Sequence, residues 1–360
     1  MNRRTVLAAG ASLVSLAAVA PAGAAGAAGA SANEAPITGL AEFTKTVSED
    51  RTVSRRTVTF RNGQIDMAGV IFEPADMEKG KAYPAIVVVH PGGGSKEQTA
   101  SLYAYRFAQQ GYISLAYDAS HQGESGGMPR LLENPTVRVE DVRSAVDYFT
   151  TLPVVDRERI AAMGICAGGA YAINATMTDH RIKAVAGVSS FNMGDGFRKG
   201  WFGSGTVEEQ LATLRNVARQ RTAEANGAEP AMFPYVPDSP EGVTDPEQVE
   251  VSEYYRLANR WMHANSPNRF LASSTDKIYA YDAFTNIGVL LTQPLLLIAG
   301  SDAGTKWHSD RAFAEAASAG EKELFVVPGG THMSLYDRDV GKAMPKLLEF
   351  FGRHLDNPAI

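Results

Sequence analysis

The chain has a single cysteine, Cys166, among its 360 residues. That excludes an intramolecular disulfide and any Cys-rich zinc site. It has no long basic run: 34 Lys and Arg stand against 40 Asp and Glu, for a formal charge of −6. A protein that grips nucleic acid by neutralising phosphates carries a basic patch, so nucleic acid is not an expected partner. Long apolar runs are scarce as well. Residues 6–20 form a mildly apolar stretch, too short to cross ~30 Å of hydrocarbon comfortably, and no other window reaches the roughly eighteen apolar residues of a span. No stable membrane insertion is therefore expected once that segment is removed. No internal repeat and no metal-ligand cluster of suitable spacing is visible. What is present, 44% hydrophobic and 21% charged residues, is ordinary globular composition with length for one large or two modest domains.

Arg3-Arg4 precede the apolar stretch, and an Ala/Gly tract follows it with small-residue cleavage positions at Ala24, Ala27 or Ala30. A charged start, a short apolar middle and a small-residue end read as an export signal over residues 1–30, twin-arginine-like, which places the protein in the periplasm or outside the cell. Residues 31–52 read as a linker. From residue 53 strand-like and helix-like segments alternate. Two strands flank Asn62-Gly63, a hairpin signal, and residues 85–90 form a β-branched run suited to a strand buried on both faces. Val139, Val142, Val146 and Phe149 recur at helical spacing. Strands near 182–189, 294–300 and 323–327 continue the rhythm. The expectation is an α/β fold with a mostly parallel central sheet flanked by helices, its core spanning 53–190 and 294–360. The intervening 191–293 breaks the rhythm with two helix-like stretches and a Pro-rich loop, and reads as a helical cap or lid insertion.

The chemistry concentrates in Gly164-Ile165-Cys166-Ala167-Gly168-Gly169, which lies between a strand and a helix. This is the G-x-nucleophile-x-G elbow with cysteine in the nucleophile position. Glycines two residues either side let strand and helix pass, and a helix N-terminus favours thiolate. In this arrangement the partners follow in the order nucleophile, acid, histidine. Asp302 lies just past the strand at 294–300, and His332 follows the next strand directly. The catalytic expectation is therefore Cys166, His332 and Asp302. The loop His90-Pro91-Gly92-Gly93-Gly94 ends an earlier strand and offers backbone N–H groups to an oxyanion. Ala167 and Gly92 are the expected donors, with Gly93 next in line. That loop lacks the Lys-Ser/Thr ending of a phosphate-binding loop.

The stretches His90–Gln98, Tyr117–Gly127, the Gly-Ile-Cys-Ala-Gly-Gly elbow and Gly330–Asp337 resemble the dienelactone-hydrolase branch of the α/β-hydrolases. More narrowly, they resemble a bacterial subgroup related to fungal enzymes that release or transfer polyketide acyl groups. The resemblance covers about residues 55–190 and 278–352. It implies an α/β-hydrolase fold, Cys166 as nucleophile, His332 as base and Asp302 as the residue orienting it. The implied partner is a small-molecule acyl ester, lactone or thioester, cleaved through a thioacyl-enzyme with no cofactor and no metal. The export signal and the long insertion depart from the small dienelactone hydrolases. An acyltransferase using the same residues is the alternative, followed by a ligand-binding protein that keeps the scaffold. Asp118, His121 and Glu124 follow a strand end and are expected to hold loops together, with lining the pocket as the alternative; Lys96-Glu97 is expected to anchor the loop and the helix start. Trp201, Phe202, Tyr254, Tyr255 and Trp261 are expected to pack, or to form an acyl-binding lid.

Overall fold

The structure is a computed structural model and describes residues 35–356; the expected export signal lies outside the described residues. The strands are β1 (Val53–Asn62), β2 (Ile65–Pro74), β3 (Tyr83–Val89), β4 (Ile113–Tyr117), β5 (Val155–Ile165), β6 (Ile182–Val188), β7 (Met232–Phe233), β8 (Phe270–Leu271), β9 (Leu295–Gly300) and β10 (Lys322–Val327). The helices are α1 (Leu40–Glu49), α2 (Thr99–Ala108), α3 (Pro135–Thr151), α4 (Ala167–Thr176), α5 (Met193–Lys199), α6 (Val207–Ala225), α7 (Pro246–Arg256), α8 (Thr275–Ala280), α9 (Ile287–Leu290), α10 (Lys306–Glu315) and α11 (Val340–Phe351).

Eight strands form one sheet in the order β1-β2-β4-β3-β5-β6-β9-β10. The β1–β2 hairpin is antiparallel, and β2 runs antiparallel to β4. From β4 to β10 every pairing is parallel. Strand β3 shows why. Ile86 and Val88 enter one apolar layer with Phe107 and Phe350, while Val87 and Val89 enter the opposite layer with Val142 and Ile173. A β-branched strand buried on both faces needs helices on both, which the βα crossovers supply.

Two segments differ from their sequence reading. The expected linker contains α1, a helix with only Phe43 and Val47 buried. Phe43 packs against Phe72, Tyr105 and Trp261, contacts remote in sequence that local periodicity does not reveal. The expected cap is not uniform either. Ile278, Phe284, Ile287 and Leu291, near its end, are buried in the second apolar layer with Leu295 and Leu297. Its earlier part, through α7, carries the residues that reach the site. On α6, Val217 is buried while Val207 and Leu211 are exposed. No helix among the described residues is long and apolar enough to cross a membrane.

Candidate active site

Strand β5 ends at Ile165 and α4 begins at Ala167, so Cys166 alone makes the turn, at φ 57° and ψ −123°. A side chain held in that region costs about 1–3 kcal/mol, which the surroundings must impose. Its backbone is fully tied: Cys166 N donates to Val188 O, and Cys166 O accepts from Gly169 N and Phe191 N. The flanking glycines are steric requirements. A Cβ on Gly164 would stand 2.2 Å from the Gly168 carbonyl, and one on Gly168 would stand 2.2 Å from Val89 O.

Cys166 itself is half-buried. The hydroxyl of Tyr336 and the backbone N–H groups of Ala167 and Gly92 stand beside its sulfur, each favouring thiolate, but burial outweighs them and pushes the thiol pKa up. The helix N-terminus was expected to favour thiolate; desolvation by burial wins. The resting sulfur therefore carries its proton at neutral pH, and that proton has to leave as the sulfur attacks.

His332 follows β10 and is buried, with its ring under Trp201 at 4.7 Å between centroids. Its Nε2 lies 3.2 Å from the Tyr336 hydroxyl, and its Nδ1 lies 2.5 Å from Thr305 Oγ1. Burial pushes its pKa down to about 3, so the ring is neutral at physiological pH and free to accept a proton. Asp302 is not its partner. The chain turns outward after Gly300: Asp302 N donates to Gly330 O, while its exposed carboxylate accepts from Ser301 Oγ at 2.7 Å. The inward position on this loop falls to Thr305, just before α10. Among the described residues no carboxylate hydrogen-bonds the His332 ring, and the expected role of Asp302 is corrected on that ground.

A carboxylate from the cap steadies the backbone instead. Glu247 on α7 accepts from His332 N (3.1 Å), Gly304 N (2.7 Å) and Trp201 Nε1 (2.7 Å), tying the loops that carry His332 and Thr305 to the cap. The Gly92 loop is clamped similarly. Arg138 Nη2 donates to His90 O at 2.9 Å, and His90 Nε2 accepts from Ala119 N, so the imidazole is a structural strut. The ring of Tyr235 lies against Gly93, where a Cβ would stand 2.5 Å from it, and against Gly92. Its hydroxyl donates to the buried Glu133 at 2.9 Å.

The remaining polar candidates bind one another. Lys96 Nζ contacts Asp118 (2.7 Å), Glu97 (2.6 Å) and Glu124 (2.7 Å). Those carboxylates lie close enough together to suit a metal ion, but the Lys96 ammonium already sits among them and contacts all three. His121 Nδ1 sits 3.1 Å from Pro129 O. Among the lid aromatics, Trp201 and Tyr255 border the site. Tyr254 and Trp261 pack together in the core, and Phe202 is exposed. Sequence reasoning missed Tyr336, Thr305 and Glu247. The first two stood within four residues of predicted positions, Tyr336 brought back by the 3₁₀ turn Ser334–Tyr336.

A model of the alpha/beta hydrolase family matches residues 86–341. YcjY, an uncharacterized protein of Escherichia coli K12, is 42% identical over 292 residues, 81% of this chain and 95% of its own length. The crystal structure of PA2218 from Pseudomonas aeruginosa has a TM-score of 0.79 at 35% identity, covering 85% of this chain and 95% of that one. The acyltransferase drtE of Aspergillus calidoustus is 26% identical over 289 residues, 78% of this chain and 90% of its own.

Proposed function

The chain belongs to the alpha/beta hydrolase family, and from that premise we propose that it hydrolyses a carboxylic ester, lactone or thioester through attack by Cys166. Within the family we assign it to the dienelactone-hydrolase-like branch that uses a cysteine nucleophile. The observation that carries the reading is the elbow: a lone cysteine in a strained turn, with the Ala167 and Gly92 N–H groups converging on its sulfur. Such a turn is held at a cost in stability, and activating a nucleophile is what it is suited to do.

In the proposed reaction Cys166 Sγ bonds to the acyl carbon while its proton passes to the neutral His332. The carbonyl electrons move onto oxygen, which the Ala167 and Gly92 N–H groups stabilise. The tetrahedral adduct collapses, the leaving group takes the proton from His332, and a thioacyl-enzyme remains. Water then attacks the acyl carbon as His332 takes one of its protons; the S–C bond breaks, the proton on His332 returns to Cys166 Sγ, and the acid departs. Thr305 receives the Nδ1–H of the imidazolium, the place usually filled by a carboxylate.

Transfer to an alcohol, amine or thiol is the second reading. It is favoured by the resemblance to drtE and by the Trp201 ring that roofs His332 and restricts water. The test is turnover of p-nitrophenyl esters and acyl thioesters of graded chain length by wild type and Cys166→Ala, with and without added acceptors. Release of free acid by wild type alone supports hydrolysis. Acyl product that grows with acceptor at the expense of acid supports transfer, and equal turnover by Cys166→Ala overturns both. The Arg3-Arg4 segment supports a further proposal, that the protein works outside the cytoplasm; recovery of the mature chain only from the cytoplasmic fraction would refute it.

A further inference from the structure

The distance between nucleophile and base is bridged by a side chain outside the expected Cys-His-Asp set. Tyr336 reaches the site from the turn after His332, and its hydroxyl stands beside Cys166 Sγ. The same oxygen stands 3.2 Å from His332 Nε2 and also faces the Tyr255 hydroxyl. Tyr336 is buried, with its ring edge-on to Tyr254, so the hydroxyl is aimed by packing rather than by solvent. The remaining ring nitrogen of His332 is occupied by Thr305. The polar groups therefore follow one another from Sγ to Tyr336 Oη, to Nε2 and Nδ1 of His332, and to Thr305 Oγ1.

We infer that Tyr336 is a catalytic residue, relaying the proton of Cys166 to His332 as the sulfur attacks. This rests on the reading of Cys166 as the nucleophile. In the resting site Cys166 carries S–H, Tyr336 carries O–H and His332 carries its proton on Nδ1, donated to Thr305 Oγ1. On attack the S–H bond breaks and the S–C bond forms. The thiol proton goes to Tyr336 Oη as the phenolic proton goes to Nε2. The products are a neutral tyrosine and an imidazolium, and the negative charge moves to the former carbonyl oxygen. Collapse runs the same chain backwards, with the Nε2 proton reaching the leaving group through Tyr336. Burial holds the Tyr336 pKa well above its usual value, so a free phenolate does not accumulate and the two hops are concerted.

The test compares wild type, Tyr336→Phe, His332→Ala and the double variant at neutral pH. Two reactions of Cys166 are followed by intact mass: acylation by p-nitrophenyl acetate and alkylation by iodoacetamide. Each is repeated across mixtures of light and heavy water. Tyr336→Phe keeps the ring packing, and its melting temperature is recorded beside wild type. The relay predicts that each single variant loses about 10²-fold in rate, the scale of general acid–base catalysis. It predicts that the double variant loses little more, because both residues serve one step. It predicts a curved isotope dependence in wild type, from two protons in flight, and a linear one in Tyr336→Phe. Equal rates in wild type and Tyr336→Phe, or multiplicative losses in the double variant with the curve unchanged, would overturn the relay. If no ester acylates wild type, the acyl-transfer reading fails, while alkylation still decides the relay.

Discussion

Replacing Thr305 by Val and Asp302 by Ala separates two accounts of what orients the base. Thr305 is buried, and its hydroxyl is the hydrogen-bond partner of His332 Nδ1 at 2.5 Å. Valine keeps the shape and removes the acceptor, so the imidazolium formed during attack would hold an unmatched N–H. A hydrogen bond to a charged group is worth about 1.5–3 kcal/mol. If the bond is fully expressed at the transition state, acylation slows by about 10–10². Asp302 is exposed and bonded to Ser301, and a surface substitution of that kind changes stability by about 0.5 kcal/mol or less. Asp302→Ala removes no contact with His332, so its acylation rate should stay within about twofold of wild type. Removing a carboxylate that truly orients a catalytic histidine costs about 10⁴ in rate, so the two accounts differ by orders of magnitude. The assay is stopped-flow release of p-nitrophenolate in the first turnover, with melting temperatures measured in parallel. A loss of about 10³ or more in Asp302→Ala, beside a near-normal Thr305→Val, would refute the placement of Thr305 as the orienting group.

Three further outcomes follow from the same geometry. His308 is fully buried between Phe191 and Trp307, neither ring nitrogen has a hydrogen-bond partner, and burial pushes its pKa down to about 3. The unfolded chain takes up its proton near the ordinary value of about 6.5, so stability is full above that pH and falls as pH drops toward 3. At about pH 5 the loss is about 2 kcal/mol. His308→Phe should therefore gain more in melting temperature over wild type at pH 5 than at pH 8, and a pH-independent difference would contradict this. Gly168→Ala places a Cβ 2.2 Å from Val89 O and 2.7 Å from His90 O. The backbone at the end of β3 cannot yield, and the expected loss is about 3 kcal/mol or more by denaturant titration; a near-native midpoint would refute the packing of the elbow. Tyr235→Phe removes a donor from the buried Glu133 and should destabilise by about 1–3 kcal/mol, whereas an unchanged midpoint would mean that the cap does not clamp the Gly92 loop.

Local signals were legible in the sequence, and directional ones were not. The β-branched run of β3 is fixed by neighbours one and two residues away, as is the glycine pattern around Cys166, and both stand where the pattern put them. Helix α1 lacks a side-chain cap and buries two residues; it is held by Trp261 and Tyr105, far along the chain. The loop after β9 was recognised, but which of its side chains turns inward depends on how Gly300 packs against Gly330, and that contact joins two separate loops. Tyr336 lay inside a quoted motif. Its bearing on Cys166 depends on a 3₁₀ turn folding back across the sheet's end. The thiol pKa shows the same division: the helix N-terminus is readable from sequence, whereas the desolvation that overrides it arises from burial in the folded chain.

The most direct measurement is intact-mass and peptide mapping of the protein quenched within the first turnover of an acyl thioester, beside Cys166→Ala. The expected result is one acyl group added to wild type, located on the peptide bearing Cys166, and decaying as free acid or transferred product appears. An acyl group on another residue, or turnover by wild type and Cys166→Ala alike with no adduct, would contradict attack by Cys166.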